Sequence, residues 1–131
     1  MSQQAAASFI VTAWDEKPYD GSTDEIKLTQ ALVSKTYSGD ITGVGSVIYI
    51  MKQQADGTAS FIGLQQINGA IGDRAGSFAI EQNGFFDGKA ARGTCVVKPG
   101  TGTGALSTLS GEGEFVAPIG QQGTLNLNFN L

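Results

Sequence analysis

Residues 124–131 read TLNLNFNL, and this closing stretch decides the fold class. Leu125, Leu127 and Phe129 alternate with Asn126 and Asn128. Successive side chains of a β-strand point to opposite faces, so this strict alternation predicts a strand with one apolar face and one polar face. No part of the chain has the periodicity of a long amphipathic helix. The sequence therefore predicts an all-β protein.

Seven further segments are rich in β-branched and aromatic residues and end at Asp-Gly or similar turn pairs. With the closing strand at 124–130, the predicted strands are 8–14, 27–37, 42–53, 58–69, 75–86, 89–97 and 111–117. Turn pairs at 39–40, 56–57, 72–73 and 87–88 supply the positive φ that tight hairpins need. Closing such a meander removes both exposed edges. We predict a single eight-stranded antiparallel up-and-down β-barrel; a β-sandwich fits the same pattern.

The length of 131 residues fits one domain, expected to span residues 1–131 with residues 1–7 as a poorly ordered tail. Glycine, with 19 residues, is about twice as frequent as usual. Glycines inside the strands are expected to serve bulges and strong coiling. Residues 15–25 are predicted to be a polar connection, and residues 99–110 a glycine-threonine loop with one helical turn.

The charge and the apolar runs bear on partners and location. A net charge of −4 provides no broad basic surface, which argues against nucleic acid and anionic membranes as partners. No apolar run has the length of a signal peptide core or a membrane-spanning helix. The single cysteine forms no internal disulfide. These features predict a cytoplasmic protein.

The chain contains no histidine, which excludes Ser-His-Asp triads, Cys-His pairs and imidazole metal ligands. Cys95 could be a nucleophile, but without a histidine to activate it we expect a buried, inert thiol. One cysteine also forms no cysteine metal cluster. We therefore predict no catalytic set, no metal site and no cofactor.

The acidic residues have a structural interpretation. Every aspartate falls at a predicted turn or in residues 15–25, as turn formation alone would produce. The seven are Asp15, Asp20, Asp24, Asp40, Asp56, Asp73 and Asp87. Residues 15–25 could hold calcium weakly, but they lack the spacing of a calcium loop, so a solvated acidic loop is favoured. Glu81, Glu112 and Glu114 are expected to face solvent, opposite Phe78 and Phe115.

Eight strands leave an interior just wide enough for packed side chains or one small ligand. The predicted inward apolar face comprises Phe61, Phe78, Ile80, Phe115, Leu125, Leu127 and Phe129. Tyr49, Gln65, Gln82 and Cys95 are predicted to share this face. Polar groups in an apolar lumen need partners, which either a ligand or the protein itself supplies.

Trp14 and Arg92 complete the candidate ligand-binding residues. Both are predicted at strand ends, where Trp14 could stack on a ligand and Arg92 could bind an anion. Structural packing is the competing role for each.

Six stretches resemble one known family. They are WDEKPYD (14–20), ADGTASFIGLQ (55–65), RAGSF (74–78), FDGKAARG (86–93), PGTGTG (99–104) and LSGEGEF (109–115). In this order, from about residue 9 to the end of the chain, they resemble the bacterial family named domain of unknown function 3224. The resemblance implies a fold similar to allene oxide cyclase, an eight-stranded antiparallel barrel, and no established activity. The plant cyclases bind and rearrange an unsaturated fatty-acid epoxide in the barrel cavity, and the chain is similar to them in expected fold only.

Three functional hypotheses follow. The leading one is a cytoplasmic bacterial barrel that binds a small apolar molecule in its lumen without catalysis. The second is an isomerase or cyclase that acts by confinement, which needs a shaped dry cavity more than an acid-base pair. The third is a structural module, a homodimer joined through a barrel face.

Overall fold

The computed structural model describes residues 3–18 and 27–131, and these residues form a closed barrel of eight antiparallel strands. The strands are β1 (Gln3–Pro18), β2 (Lys27–Gly39), β3 (Ile41–Gln53), β4 (Ala59–Ile71), β5 (Arg74–Phe86), β6 (Ala90–Val97), β7 (Ser110–Pro118) and β8 (Gly123–Asn130). Each strand pairs with the next, and β8 pairs with β1 to close the ring. The predicted up-and-down barrel is confirmed.

The predicted strand bounds lie within two residues of the observed ones, except in β1. Residues 3–7, expected to be a tail, pair with β8, with Ala5 opposite Leu127. Ala5 and Ala7 are buried, but alanine is a weak strand former and hides the alternation. Residues 15–18, expected to be a loop, pair with residues 29–32 of β2, so Asp15 lies in a strand rather than a turn. Asp20, Asp24 and Glu25 lie outside the described residues.

Two of the aspartates at the hairpin turns, Asp56 and Asp87, bond the local backbone, as predicted, whereas Asp40 Oδ2 accepts a hydrogen bond of 2.9 Å from the N–H group of Ala6 in β1. Asp87 Oδ1 accepts hydrogen bonds of 2.9 Å from the N–H groups of both Lys89 and Ala90. Asp56 Oδ1 accepts hydrogen bonds from the hydroxyl of Thr58, at 2.6 Å, and from its N–H group, at 3.0 Å. These bonds to the ionised form hold the pKa of both carboxyls below their usual range. Both aspartates therefore have a structural role.

The connection between β6 and β7 replaces a missing stretch of sheet. β6 pairs with β5 only from Ile80 onward, and the first half of β5 bonds this connection instead. Thr103 N–H donates to the Ser77 carbonyl at 2.9 Å, and Thr103 Oγ1 accepts from Ser77 N–H at 3.0 Å. The predicted helical turn is a 3₁₀ turn, Gly104–Leu106. It buries Leu106 in the core at the barrel end opposite Trp14.

All seven residues predicted to form the inward apolar face are buried. Several large rings fit this narrow interior because they lie over a glycine directly opposite in the neighbouring strand, where a Cβ would overlap the ring. Three such pairs are Phe9 over Gly123, Tyr49 over Gly63 and Phe61 over Gly84. The register shift of the β1–β2 pair lies between Val11 and Ala13, where there is no glycine. These three glycines therefore make room for rings rather than bulges.

Candidate functional site

A cavity of about 110 Å³ opens at the barrel end where β5 finishes and β6 begins. Most of its wall is aromatic or aliphatic, including Phe9, Trp14, Met51, Phe61 and Phe115. The cavity shares wall residues with a wider cleft of about 580 Å³, which is bordered by the turn between β7 and β8. For scale, an apolar cavity of about 150 Å³ in another protein binds benzene. We call this feature the mouth cavity.

Lys35 is the one charged residue among the described residues that line the mouth cavity, and its side chain is almost fully buried, with 4% exposed. It lies in β2 on the same face as the buried Val33 and Tyr37. Its Nζ donates a hydrogen bond of 2.8 Å to the Tyr49 hydroxyl and lies 4.4 Å from the centre of the Phe9 ring. The ring face attracts the cation and offsets part of the lost hydration.

The Tyr49 hydroxyl connects Lys35 to a buried hydrogen-bond network. Tyr49 donates to Gln82 Oε1 at 3.1 Å, and Gln65 Nε2 donates to the same oxygen at 3.2 Å. Tyr37 donates to Gln65 Oε1 at 2.8 Å. Among the described residues, no buried side-chain nitrogen or oxygen is left without a partner. The network therefore fixes the orientation of each member, and each of its polar atoms has at least one partner within the protein.

Burial sets the charge of these groups. Desolvation disfavours the ammonium and lowers the pKa of Lys35 to about 8. Lys35 is therefore mostly charged at pH 7. Desolvation raises the pKa of Tyr37 and of Tyr49 well above the usual range, so both phenols stay neutral donors.

Five of the six predicted site residues lie at the mouth cavity or in the barrel interior behind it, and two of the five line the cavity. Tyr49 and Trp14 line the mouth cavity. Trp14 is half-exposed, stacks on Tyr49 with ring centres 6.4 Å apart, and donates from Nε1 to Glu16 Oε1 at 2.9 Å. Gln65 and Gln82 are fully buried behind Tyr49 and do not line the cavity.

Cys95 lies deeper and Arg92 lies elsewhere. Cys95 is buried opposite Gln82, and desolvation raises the pKa of its thiol to about 11. Arg92 is on the outside of the barrel, where its side chain is 61% exposed and lies 3.6 Å from Asp87 Oδ2. Its direct strand partners Phe85 and Val116 face outward too. Arg92 is therefore separate from the mouth cavity.

Lys35 is the site residue that sequence reasoning missed. The alternation of Ala31, Val33, Lys35 and Tyr37 places it on the inward face, and this signal is readable in the sequence. The general rule that lysine is almost never fully buried argues against this interpretation, so the pattern alone does not single out Lys35.

The remaining acidic residues face outward, as predicted. Glu112 and Glu114 are exposed, and Glu81 Oε2 accepts a hydrogen bond of 3.2 Å from Lys98 on the surface. Within residues 3–18 and 27–131, no group of three His, Cys, Asp or Glu side chains could hold a metal ion. The same part of the chain contains no helix that is long and apolar enough to span a membrane.

The fold and the site together define a small closed antiparallel barrel with an aromatic mouth cavity and a buried lysine. The model of the family described as protein of unknown function DUF3224 matches residues 5–130, so the chain belongs to this family. The resemblance to this family that the sequence stretches indicate is confirmed as membership.

The crystal structure of a DUF3224 family protein of unknown function from Shewanella oneidensis MR-1 is similar to this barrel. The TM-score is 0.85 at 21% sequence identity, and the alignment covers 100% of this chain and 98% of that one. At this identity the likeness shows the fold alone. No curated protein matches the chain.

Proposed function

We propose that the barrel binds a small, largely apolar molecule in the mouth cavity and does not catalyse a reaction. The observation that carries this proposal is the preformed cavity of about 110 Å³ with its predominantly aromatic and aliphatic wall. A ligand with an apolar body removes its own surface and that of the wall from water, which favours binding by about 25 cal/mol per Å².

The hydrogen-bond network supports binding over chemistry. The Tyr49 hydroxyl and the amides of Gln65 and Gln82 bond one another, and together they hold Tyr49 in the cavity wall. Groups with such partners stiffen a binding site, and a preorganised site binds with a smaller entropy cost.

Calorimetry with toluene, indole and cyclohexanol as probes tests the proposal. Ala117→Leu fills part of the cavity wall and should abolish the heat of binding. The control Ala75→Leu adds the same side chain at an exposed position of β5 and should bind the probes like the wild type. The proposal is rejected if no probe binds the wild type, or if both variants behave alike.

Self-association through the outer face of β2, β3 and β4 is a second candidate function. Leu32, Ile48 and Leu64 are direct neighbours across these strands and are 47%, 40% and 49% exposed. A contiguous exposed apolar patch is typical of an interaction surface.

Sedimentation at micromolar concentration tests this candidate. The candidate is supported if the wild type is a dimer that Ile48→Lys dissociates. The control Val44→Lys lies four residues earlier in β3 on the same outer face and should leave this dimer intact. A monomeric wild type would exclude it.

A further inference from the structure

We propose that the ligand of the mouth cavity is a small apolar carboxylate, and that its carboxylate forms an ion pair with Lys35. This inference rests on the proposed function and adds the charge class of the ligand and the residue that recognises it.

The first observation is a buried cation at a cavity with no counter-ion from the protein. Among the described residues, no carboxylate lies within ion-pair distance of Lys35. An ammonium has three N–H donors, and the hydrogen bond that Lys35 Nζ makes is to the neutral Tyr49 hydroxyl. Charges buried in proteins are normally paired, because an unpaired charge loses its hydration and gains no compensating interaction. A carboxylate in the cavity would supply both the charge and the acceptors.

The second observation is the contrast between Lys35 and the rest of the wall. Phe9, Met51, Phe61 and Phe115 offer no polar side-chain group to a ligand. A molecule that contacts both parts of the wall has one anionic end and an apolar body. The cavity of about 110 Å³ is smaller than the one of about 150 Å³ that holds benzene, so it suits a ring or a branched chain of no more than about six carbons.

A single lysine also limits the charge of the ligand. One ammonium balances one negative charge, which a carboxylate carries. A phosphate monoester carries about −1.5 to −2 at pH 7, so part of its charge would stay uncompensated among the rings.

The buried lysine is a poor choice for stability alone. A methionine would fill similar space without the cost of dehydrating a charge. Local choices that work against the stability of a fold are expected mainly at functional sites. The hydrogen bond from Nζ to Tyr49 and the contact with the Phe9 ring hold the charge in one place.

Recognition by Lys35 makes the affinity depend on pH. The other titratable groups near Lys35 are Tyr37, Tyr49 and Cys95, and burial raises the pKa of all three, to about 11 for Cys95 and higher for the phenols. Between pH 7 and pH 9 Lys35 is therefore the group that titrates in this cluster. The affinity for a carboxylate should fall about tenfold per pH unit once the pH exceeds the pKa of about 8.

Calorimetry with matched acids and amides tests the inference. Benzoate should bind the wild type at pH 7 at least tenfold more tightly than benzamide, and isobutyrate more tightly than isobutyramide. Lys35→Met should remove the preference for the acid. The control Lys89→Met makes the same charge change at an exposed turn residue and should keep the preference. The fall in benzoate affinity from pH 8 to pH 9 is measured on the wild type alone, so it tests the inference even if Lys35→Met fails to fold. A benzoate affinity that does not change between these pH values would overturn the inference.

The outcomes separate the two proposals. If amides and acids bind equally well, or if Lys35→Met keeps the preference, the carboxylate inference is overturned while binding of apolar molecules stands. If neither acids nor amides bind, and toluene and indole do not bind either, both proposals fail.

Discussion

The ring of Tyr49 in β3 lies across Gly63 of β4, its direct partner in the strand pairing, so closely that a Cβ on Gly63 would overlap the ring. The Tyr49 hydroxyl accepts from Lys35 and donates to Gln82. The space above one glycine therefore determines where the mouth cavity meets the buried network.

Gly63→Ala should destabilise the barrel and disturb the site at the same time. The new methyl group overlaps the Tyr49 ring and forces it to move, and such overpacking costs about 1–3 kcal/mol. Urea denaturation measures the loss in the free energy of unfolding. Ser60→Ala, at an exposed position of the same strand, should stay within about 0.5 kcal/mol of the wild type. Equal effects of the two substitutions would contradict this role of Gly63.

Gln82→Leu should be among the most damaging substitutions in the interior. Gln82 Oε1 accepts from both the Tyr49 hydroxyl and Gln65 Nε2, so its removal leaves two buried donors without this partner. Each orphaned donor costs about 1–3 kcal/mol. The matched control is Gln66→Leu, which makes the same substitution at an exposed position on the outer face of β4. Denaturation curves in which both variants lose the same stability would argue against a cooperative network.

Cys95 should resist thiol reagents in the folded protein. Its side chain is buried, and desolvation raises the pKa of the thiol to about 11, so very little reactive thiolate forms at pH 8. Ellman's reagent at pH 8 should react slowly without urea and fast in urea. Introducing an exposed thiol by Ser60→Cys provides the fast-reacting reference in the folded state. Rapid labelling of native Cys95 would show that the interior is open to solvent.

The sequence was sufficient for the barrel and for most of the buried polar face. Strict alternation at Leu125, Leu127 and Phe129 defines a strand, and the same period places Tyr49 and Gln82 inside without knowledge of their partners. Such periodicity is local information, which is why the strand bounds are nearly correct.

The mouth cavity required information that is not local. Its shape depends on which ring lies over which glycine, and so on the register between strands, as for Phe61 and Gly84. Burial of Lys35 was missed for a different reason: the pattern of β2 was readable, but a charged residue inside a barrel contradicts the general behaviour of lysine.

The charge of Lys35 has a measurable cost to folding. Its pKa falls from the ordinary value of 10.5 to about 8 because burial disfavours the ammonium. Between these two pH values the unfolded chain binds more protons than the folded one, so this group makes the free energy of unfolding rise with pH. Below pH 8 the folded protein carries the full cost of the buried charge, which is on the order of 3 kcal/mol.

Lys35→Met should therefore be more stable than the wild type at pH 7, and its advantage should shrink as the pH rises from 8 to 10. Denaturant titrations of both proteins at several pH values between 6 and 10 measure this difference. Tyr37, Tyr49 and Cys95 act with the opposite sign, because burial raises their pKa values and ionisation of the unfolded chain at high pH weakens the fold. Their contribution is common to both proteins and largely cancels in the comparison. A stability difference that is the same at pH 7 and pH 10 would show that Lys35 does not carry a buried charge, and the proposed recognition of carboxylates would lose its physical basis.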